Sequence, residues 1–316
     1  MSSSDNTFIY FNSLKPRLEI RINLFKNNRP TTYYYIRIIL NRGYWMDFTE
    51  ILMITYNRPE YTKISLAKLI QHCPENVRIW IWHNGDHEET LNIVKTIAKE
   101  PQIFKFFHSR ENLKLNTPTN WFWENSTAPL IGKVDDDCIV PSEWIEKIGL
   151  AHKEVPKLGV LSGWHFEEED FDYNLARKKI VKLPKGHSLL QHPWVGGSGY
   201  LMKRACYEKI GCLKENDTFP NYCINIRWHG WLNGWYYPFI RVIHMDDPRA
   251  PGSLLKNDND LRKYMPLTIA KNKVETIDQW IKLNKRTAFS IQKSPKEPKK
   301  FFKIWRLIFR MGLVNR

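Results

Sequence analysis

Residues 133–141 read KVDDDCIVP, three consecutive aspartates closing an apolar stretch, 129–134, that reads as a buried β-strand. Carboxylates at alternate positions of an extended segment point the same way. Asp135 and Asp137 are therefore placed to share one hard cation while Asp136 faces away. Mg2+ or Mn2+ held by one or two carboxylates keeps positions open for phosphate oxygens, which suits a nucleotide-activated substrate. The competing reading is an acidic turn capping a helix that starts near Ser142.

Upstream of the triplet the pattern is regular. ILMITY at 51–56 is a short buried strand, NRPE a turn with a helix-starting proline, and 61–72 a helix with apolar Ile64, Ala67 and Leu69 or Ile70. Residues 77–82 form the next strand, followed by the turn His83-Asn84-Gly85-Asp86 and a helix to about residue 99. A third strand at 103–107, a loop at 112–119, a helix at 121–126 and a fourth strand at 130–134 lead into the aspartates. Strands alternating with helices of this length imply parallel pairing through right-handed crossovers. Ligands of such sheets bind at the carboxyl ends of the strands, where Thr55 to Asn57, His83 to Asp86 and the aspartates all fall. Downstream of Ser142 the loops lengthen and tryptophans multiply; 158–164, 197–202 and 236–243 read as strands of a second half-sheet.

The 316 residues suffice for one large α/β domain with appendages. No run of about eighteen apolar residues occurs and the start lacks the order of a signal peptide, so a cytosolic-side protein is expected. The five cysteines are odd in number and show no CxxC spacing, which argues against a disulfide framework and a zinc site. Charge is uneven: residues 1–47 carry 7 basic and 3 acidic residues, 281–316 carry 11 and 1, and the body between carries 30 and 29. A neutral body with basic ends favours tails that meet an anionic surface over a nucleic-acid groove.

In order along the chain, MITYNRPEYTKISLAKLI, WHNGDHEET, RENLKLNTPTN, KVDDDCIVP, WVGGSGYLMKRACYEKIG and VIHMDD resemble the family 2 glycosyltransferases of the GT-A fold, over roughly residues 50–247. The resemblance implies a Rossmann-like, mostly parallel sheet flanked by helices. It divides the chain into an N-terminal arm (1–47), a nucleotide-sugar-binding half (48–141), an acceptor-side half (142–280) and a basic linker with an amphipathic helix (281–316). Thr55, Tyr56 and Asn57 would lie against the nucleotide, Asp135 and Asp137 would form the DxD pair, and His244 would complete the metal and phosphate site. Without the family, His244 reads as a core histidine at a strand end.

The family usually has an aspartate at the position of His83. Here Asp86 takes that contact or Asn84 and Gly85 simply make a turn, and the donor-binding set becomes Thr55, Tyr56, Asn57, Asn84, Asp86, Asp135 and Asp136. WVGGSGYLMKR looks like the acceptor-side strand, its Gly196 and Gly197 letting backbone approach a sugar; the alternative is a glycine-rich sheet entry without ligand. Trp194 and Trp231, with Trp228 and Trp235, offer indole faces for sugar rings, or else form one buried helical stripe. Where inverting members carry a Glu-Asp pair, this chain reads FPNYCINIRWHGWLNGW with no carboxylate. Three readings follow: a nearby carboxylate, Asp217 or Glu215, has shifted into the role, the chemistry retains configuration and needs no such base, or transfer is impaired; Asp217 is favoured, with His229 a weaker candidate.

At the C-terminus, KKFFKIWRLIFRMGLV puts Lys299, Lys303, Arg306 and Arg310 on one helical face and Phe301, Ile304, Trp305 and Ile308 on the other, suited to an anionic membrane interface or to docking on protein. The expectation is a Mn2+- or Mg2+-dependent glycosyltransferase, peripheral on the inner face of the cell membrane, with a nucleotide-sugar donor and a glycan or lipid-linked acceptor. A sugar-nucleotide-forming nucleotidyltransferase is disfavoured because ITYNRPE is not a glycine-rich phosphate loop; a nucleic-acid-binding protein is the rival from another class.

Overall fold

A computed structural model describes residues 48–298. The expected N-terminal arm and the amphipathic helix over 299–314 lie outside the described residues.

The strands are β1 (Thr49–Tyr56), β2 (Val77–Asn84), β3 (Ile103–Ser109), β4 (Leu130–Asp135), β5 (Cys138–Ile139), β6 (Leu158–Ser162), β7 (Ile180–Lys182), β8 (Ser188–Gln191), β9 (Tyr200–Lys203), β10 (Leu232–Tyr236) and β11 (Ile243–His244). The helices are α1 (Pro59–His72), α2 (Glu88–Ile97), α3 (Asn116–Asn125), α4 (Trp144–Glu154), α5 (Tyr173–Ala176), α6 (Arg204–Ile210), α7 (Phe219–Trp228), α8 (Asp258–Tyr264), α9 (Pro266–Asn272) and α10 (Ile277–Lys293). Nine strands form one sheet in the order β3-β2-β1-β4-β9-β6-β10-β8-β7, and β11 pairs with β5 in a separate two-stranded ribbon.

The four strands read before the triplet are parallel neighbours, with Ile54 opposite Asp135 and Thr55 opposite His83. The chain winds outward from β1 to β3 and then returns to the other side of β1 as β4. That reversal opens a crevice at the carboxyl ends of β1 and β4, the place where open α/β sheets bind ligands. Apolar residues alternate across the sheet into two cores: Leu52, Ile54, Trp80 and Trp82 face one, Ile51, Met53, Ile79 and Ile81 the other. Helices therefore cover both faces, as a parallel sheet requires.

Four expectations are corrected. Helix α3 starts at Asn116, inside the expected loop, because Pro118 sits in its first turn, where a missing N–H costs nothing. The expected strand over 236–243 is instead the end of β10, a loop and the start of β11. Trp228, Trp231 and Trp235 do not form a helical stripe: Trp228 ends α7, Trp231 lies in the following loop and Trp235 is buried in β10. Residues 281–293, expected to open the basic linker, belong to α10, which buries Trp280, Asn284, Ala288, Ile291 and Gln292. Its acidic first turn and Thr276 cap, whose hydroxyl accepts the Gln279 N–H at 3.2 Å, fix where it begins. Among the described residues no helix is long and apolar enough to cross a membrane.

Candidate active site

The aspartate triplet sits where β4 ends. Strand geometry stops at Asp135, and Asp136 and Asp137 form a turn into β5. The alternation that would aim Asp135 and Asp137 together is thus broken between them. Asp135 pairs with Lys133 two residues back on the same strand face, and its N–H donates to Ser198 Oγ at 2.8 Å. Lys133 Nζ also donates to the Gly197 carbonyl at 3.0 Å, so the glycine-rich segment is pinned to the strand tip.

Asp136 turns towards the β1–α1 loop, accepting the Tyr56 N–H at 3.2 Å and the Thr62 hydroxyl at 3.3 Å. Asp137 is joined by His244 through the small ribbon, in which His244 pairs with Cys138, and the Met245 N–H donates to the Asp137 carbonyl at 2.7 Å. His244 Nε2 lies 3.9 Å from Asp137 Oδ2. The structure thus brings together Asp137 and His244, 107 positions apart in the sequence, with Asp135 to one side.

Arg58 holds the corner together. Its Nη2 donates to Asp136 Oδ1 at 2.7 Å and Asp137 Oδ2 at 2.8 Å, while Nη1 donates to both oxygens of Asp246 at 3.0 and 2.8 Å. One planar cation with a fixed fork of donors joins three carboxylates from two chain segments, the triplet turn and the stretch after β11, a task suited to arginine. Burial opposes the charge on Asp137, but Arg58 and His244 outweigh it and hold this carboxyl below the usual range. Burial and the neighbouring Asp137 charge push Asp246 up. Neither Arg58 nor Asp246 was singled out from the sequence, although both lie in quoted segments, NRPE and VIHMDD. The missing signal is a partner: an arginine in a turn reads as solvated until the fold supplies its acids.

Asp137 and His244 fit a divalent cation. Their ligand atoms lie within 4.8 Å of one another and of Cys138 Sγ; the carboxylate is a hard ligand of the kind Mn2+ and Mg2+ take, and the imidazole is a borderline one that suits a transition metal. The Cys138 thiol donates to Asp137 Oδ1 at 3.2 Å, and burial followed by the nearby aspartates pushes its pKa up, so it stays a neutral thiol. A nucleophilic role for it has no support here.

The remaining expected residues divide clearly. Thr55 is fully buried, with its hydroxyl 2.8 Å from His83 Nδ1. Burial lowers the His83 pKa to about 4, so the ring is neutral. Asn57 is exposed in the left-handed region (φ 48°) at the crevice mouth. Gly85 has φ 85°, and a Cβ there would come within 3.2 Å of the Tyr56 ring and 3.3 Å of Asn57, so the β2 turn packs on the β1 tip only as glycine. Asn84 is buried and acts as a brace: its Oδ1 accepts Trp82 Nε1–H at 3.0 Å and the Leu113 N–H at 3.2 Å, and its Nδ2 donates to the Lys114 carbonyl at 3.0 Å. Asp86 is exposed, 3.3 Å from His108.

On the other half, a Cβ at Gly196 would meet His165 at 2.6 Å, so the close approach there is to a side chain of the protein; Gly197 faces open space. Trp194 and Trp231 are half-buried against the core. The Asp217 loop is tied to the start of α3 by Asn116 Nδ2, which donates to the Asp217 carbonyl at 2.9 Å. His229 closes α7, its Nδ1 2.9 Å from the Asn225 carbonyl.

Comparison with known proteins agrees with this architecture. The model of the family described as Glycosyl transferase family 2 matches residues 50–210. An uncharacterized glycosyltransferase of Haemophilus influenzae is 25% identical over 99 residues, which is 31% of this chain and 31% of the relative's length. Among solved structures, the mannosyltransferase PcManGT from Pyrobaculum calidifontis, in complex with GDP-Man and Mn2+, is 14% identical, with a TM-score of 0.51 over 77% of this chain and 72% of that one. S. aureus TarS 1-349 is 12% identical, with a TM-score of 0.47 over 78% and 80%. At 14% identity the likeness to PcManGT concerns the fold alone, a GT-A arrangement with a mostly parallel central sheet.

Proposed function

The chain belongs to glycosyl transferase family 2 and is a glycosyltransferase; from that premise we propose that it moves a sugar from a nucleotide diphosphate to a glycan or lipid-linked saccharide, using Mn2+ or Mg2+ at Asp137 and His244. The observation that carries this reading is the 3.9 Å approach of His244 to Asp137 at the switch point of the sheet.

Bound there, a divalent cation would neutralise the diphosphate as it leaves. The chain's own contribution is a fixed corner. Arg58 keeps Asp137 ionised and correctly aimed, and Asp136 ties the triplet to the β1 tip, where Tyr56 and Asn57 border the nucleotide side. Asp135, beside Gly197 and Ser198, flanks the same corner towards the acceptor half, which Trp194, Gly196 and Trp231 border. Asp217 takes the acceptor hydroxyl proton; it is the nearest carboxylate to the stretch where inverting relatives carry theirs. Attachment to the inner membrane face rests on the net charge of +10 over residues 281–316.

A nucleotide-sugar panel tests the reading by thermal shift. The matching donor raises the melting temperature only with Mn2+ present, because a ligand bound solely by the folded state stabilises it. Asp137→Ala loses both that shift and transfer, whereas Asp217→Asn keeps the shift and loses transfer. Full transfer by Asp137→Ala in the presence of chelator would overturn the metal assignment.

A further inference from the structure

A cavity of about 250 Å3 opens beside His244, walled on one side by His165 and Asp247 and on the other by Trp280, Asn284 and Thr287 of α10. The volume lies just under the roughly 300 to 1,000 Å3 of ligand pockets for drug-sized molecules, which is room for a single ring and its substituents. His244 belongs both to this wall and to the phosphate corner, 3.9 Å from Asp137. A group one ester oxygen beyond a phosphate held at that corner therefore comes to the mouth of the cavity.

The lining matches the two-sided chemistry of a sugar, with C–H faces and hydroxyl edges. Trp280 is buried and its indole N–H is already satisfied by the Asp246 carbonyl at 2.7 Å, so what it offers a ligand is apolar ring. Asp247 supplies a carboxylate fixed in advance: Arg249 donates to its two oxygens at 3.0 and 2.7 Å, and Asn284 Nδ2 to Oδ2 at 3.2 Å. Arg249 is anchored in turn by two 2.8 Å bonds to Asp170. A polar group held this way loses no further freedom on binding, which is how a pocket discriminates among isomers that differ in one hydroxyl. The α10 wall lies outside the segment 50–210 that matches the family, where a feature particular to this chain belongs.

We propose that this cavity receives the sugar ring of the donor, and that Asp247, Asn284 and Thr287 select which sugar is transferred. The proposal rests on the phosphate corner inferred above, and its test separates the two. The full chain with Mn2+ is titrated by calorimetry with UDP, UDP-glucose, UDP-galactose and UDP-N-acetylglucosamine, and with GDP, GDP-mannose and GDP-fucose. In the wild type, sugars on one nucleotide differ in affinity by about tenfold or more. Thr287→Phe fills the cavity from α10, and Asn272→Trp blocks it from the exposed rim of its lining, a position where folding is at little risk.

Both variants are expected to compress that spread to about twofold while bare UDP or GDP binds within about twofold of wild type. Retention of the wild-type ranking in both variants would overturn the sugar assignment, as would equal weakening of bare nucleotide. Absence of any nucleotide binding by the wild type would bring down the phosphate corner, and the cavity proposal with it.

Discussion

Arg58 carries more of the site than any other single side chain. Among the described ion pairs it alone joins Asp136, Asp137 and Asp246, His244 reaching only Asp137. Removing one partner of a buried charge group strands the others, so Arg58→Met is expected to cost about 3 to 5 kcal/mol. Urea unfolding checks this, and a loss under about 1 kcal/mol would mean the acids are hydrated rather than braced. Arg58→Lys should recover only part, since an ammonium is a point donor and cannot reproduce the planar fork. At this scale the sequence made Asp137 and His244 legible as candidates, because a triplet of acids after a strand and a histidine ending another are local patterns. It left Arg58 and Asp246 unread. It also misaimed Asp135, because alternation holds only within a strand and the strand ends there.

The element that positions the corner is β4, squeezed between β1 and β9. Gly132 is what allows the squeeze: a Cβ there would lie 2.6 Å from the Tyr200 carbonyl oxygen and 2.7 Å from the Ile51 side chain. Gly132→Ala must push β4 away from β9, where Gly132 pairs with Leu201. A cost of about 1 to 3 kcal/mol is expected, with weaker Mn2+-dependent stabilisation by nucleotide because the triplet moves with the strand. A variant melting within a degree of wild type would show that the sheet relaxes freely at this point. Most of the parallel elements were legible because each buried strand is a short apolar run between turn residues. Elements of the second half were less so: the two-residue strands β5 and β11 have no periodicity to read, and α10 looked like the start of a basic tail because Lys282, Lys285, Arg286 and Lys293 stand on its exposed side, while two of its five buried residues, Asn284 and Gln292, are polar.

Across the whole molecule, the sheet and its two cores enclose several neutral histidines. Burial, and Lys203 next, lowers His152 to about 3; burial, then Lys179, lowers His192 to about 3. Their folded pKa values lie below those of the unfolded chain. From about pH 6.5 down to 3 the unfolded state therefore binds more protons, and stability falls with falling pH. Between pH 7 and 5 each contributes a loss of about 2 kcal/mol, which urea midpoints at the two pH values would reveal. A His152→Gln variant should lose less over that interval than wild type, and an identical loss would exclude this residue as a source. The sequence by itself determined the α/β class, the winding of the first four strands and the identity of the acidic triplet, because strand burial, helix starts and turn residues are set by neighbours a few positions away. Only the tertiary structure decided which acids share Arg58, that His244 reaches Asp137 across 107 positions, and that α10 closes a cavity beside them. Those are contacts between segments with no sequence relation, fixed when the sheet reverses direction and its helices find the faces left to cover.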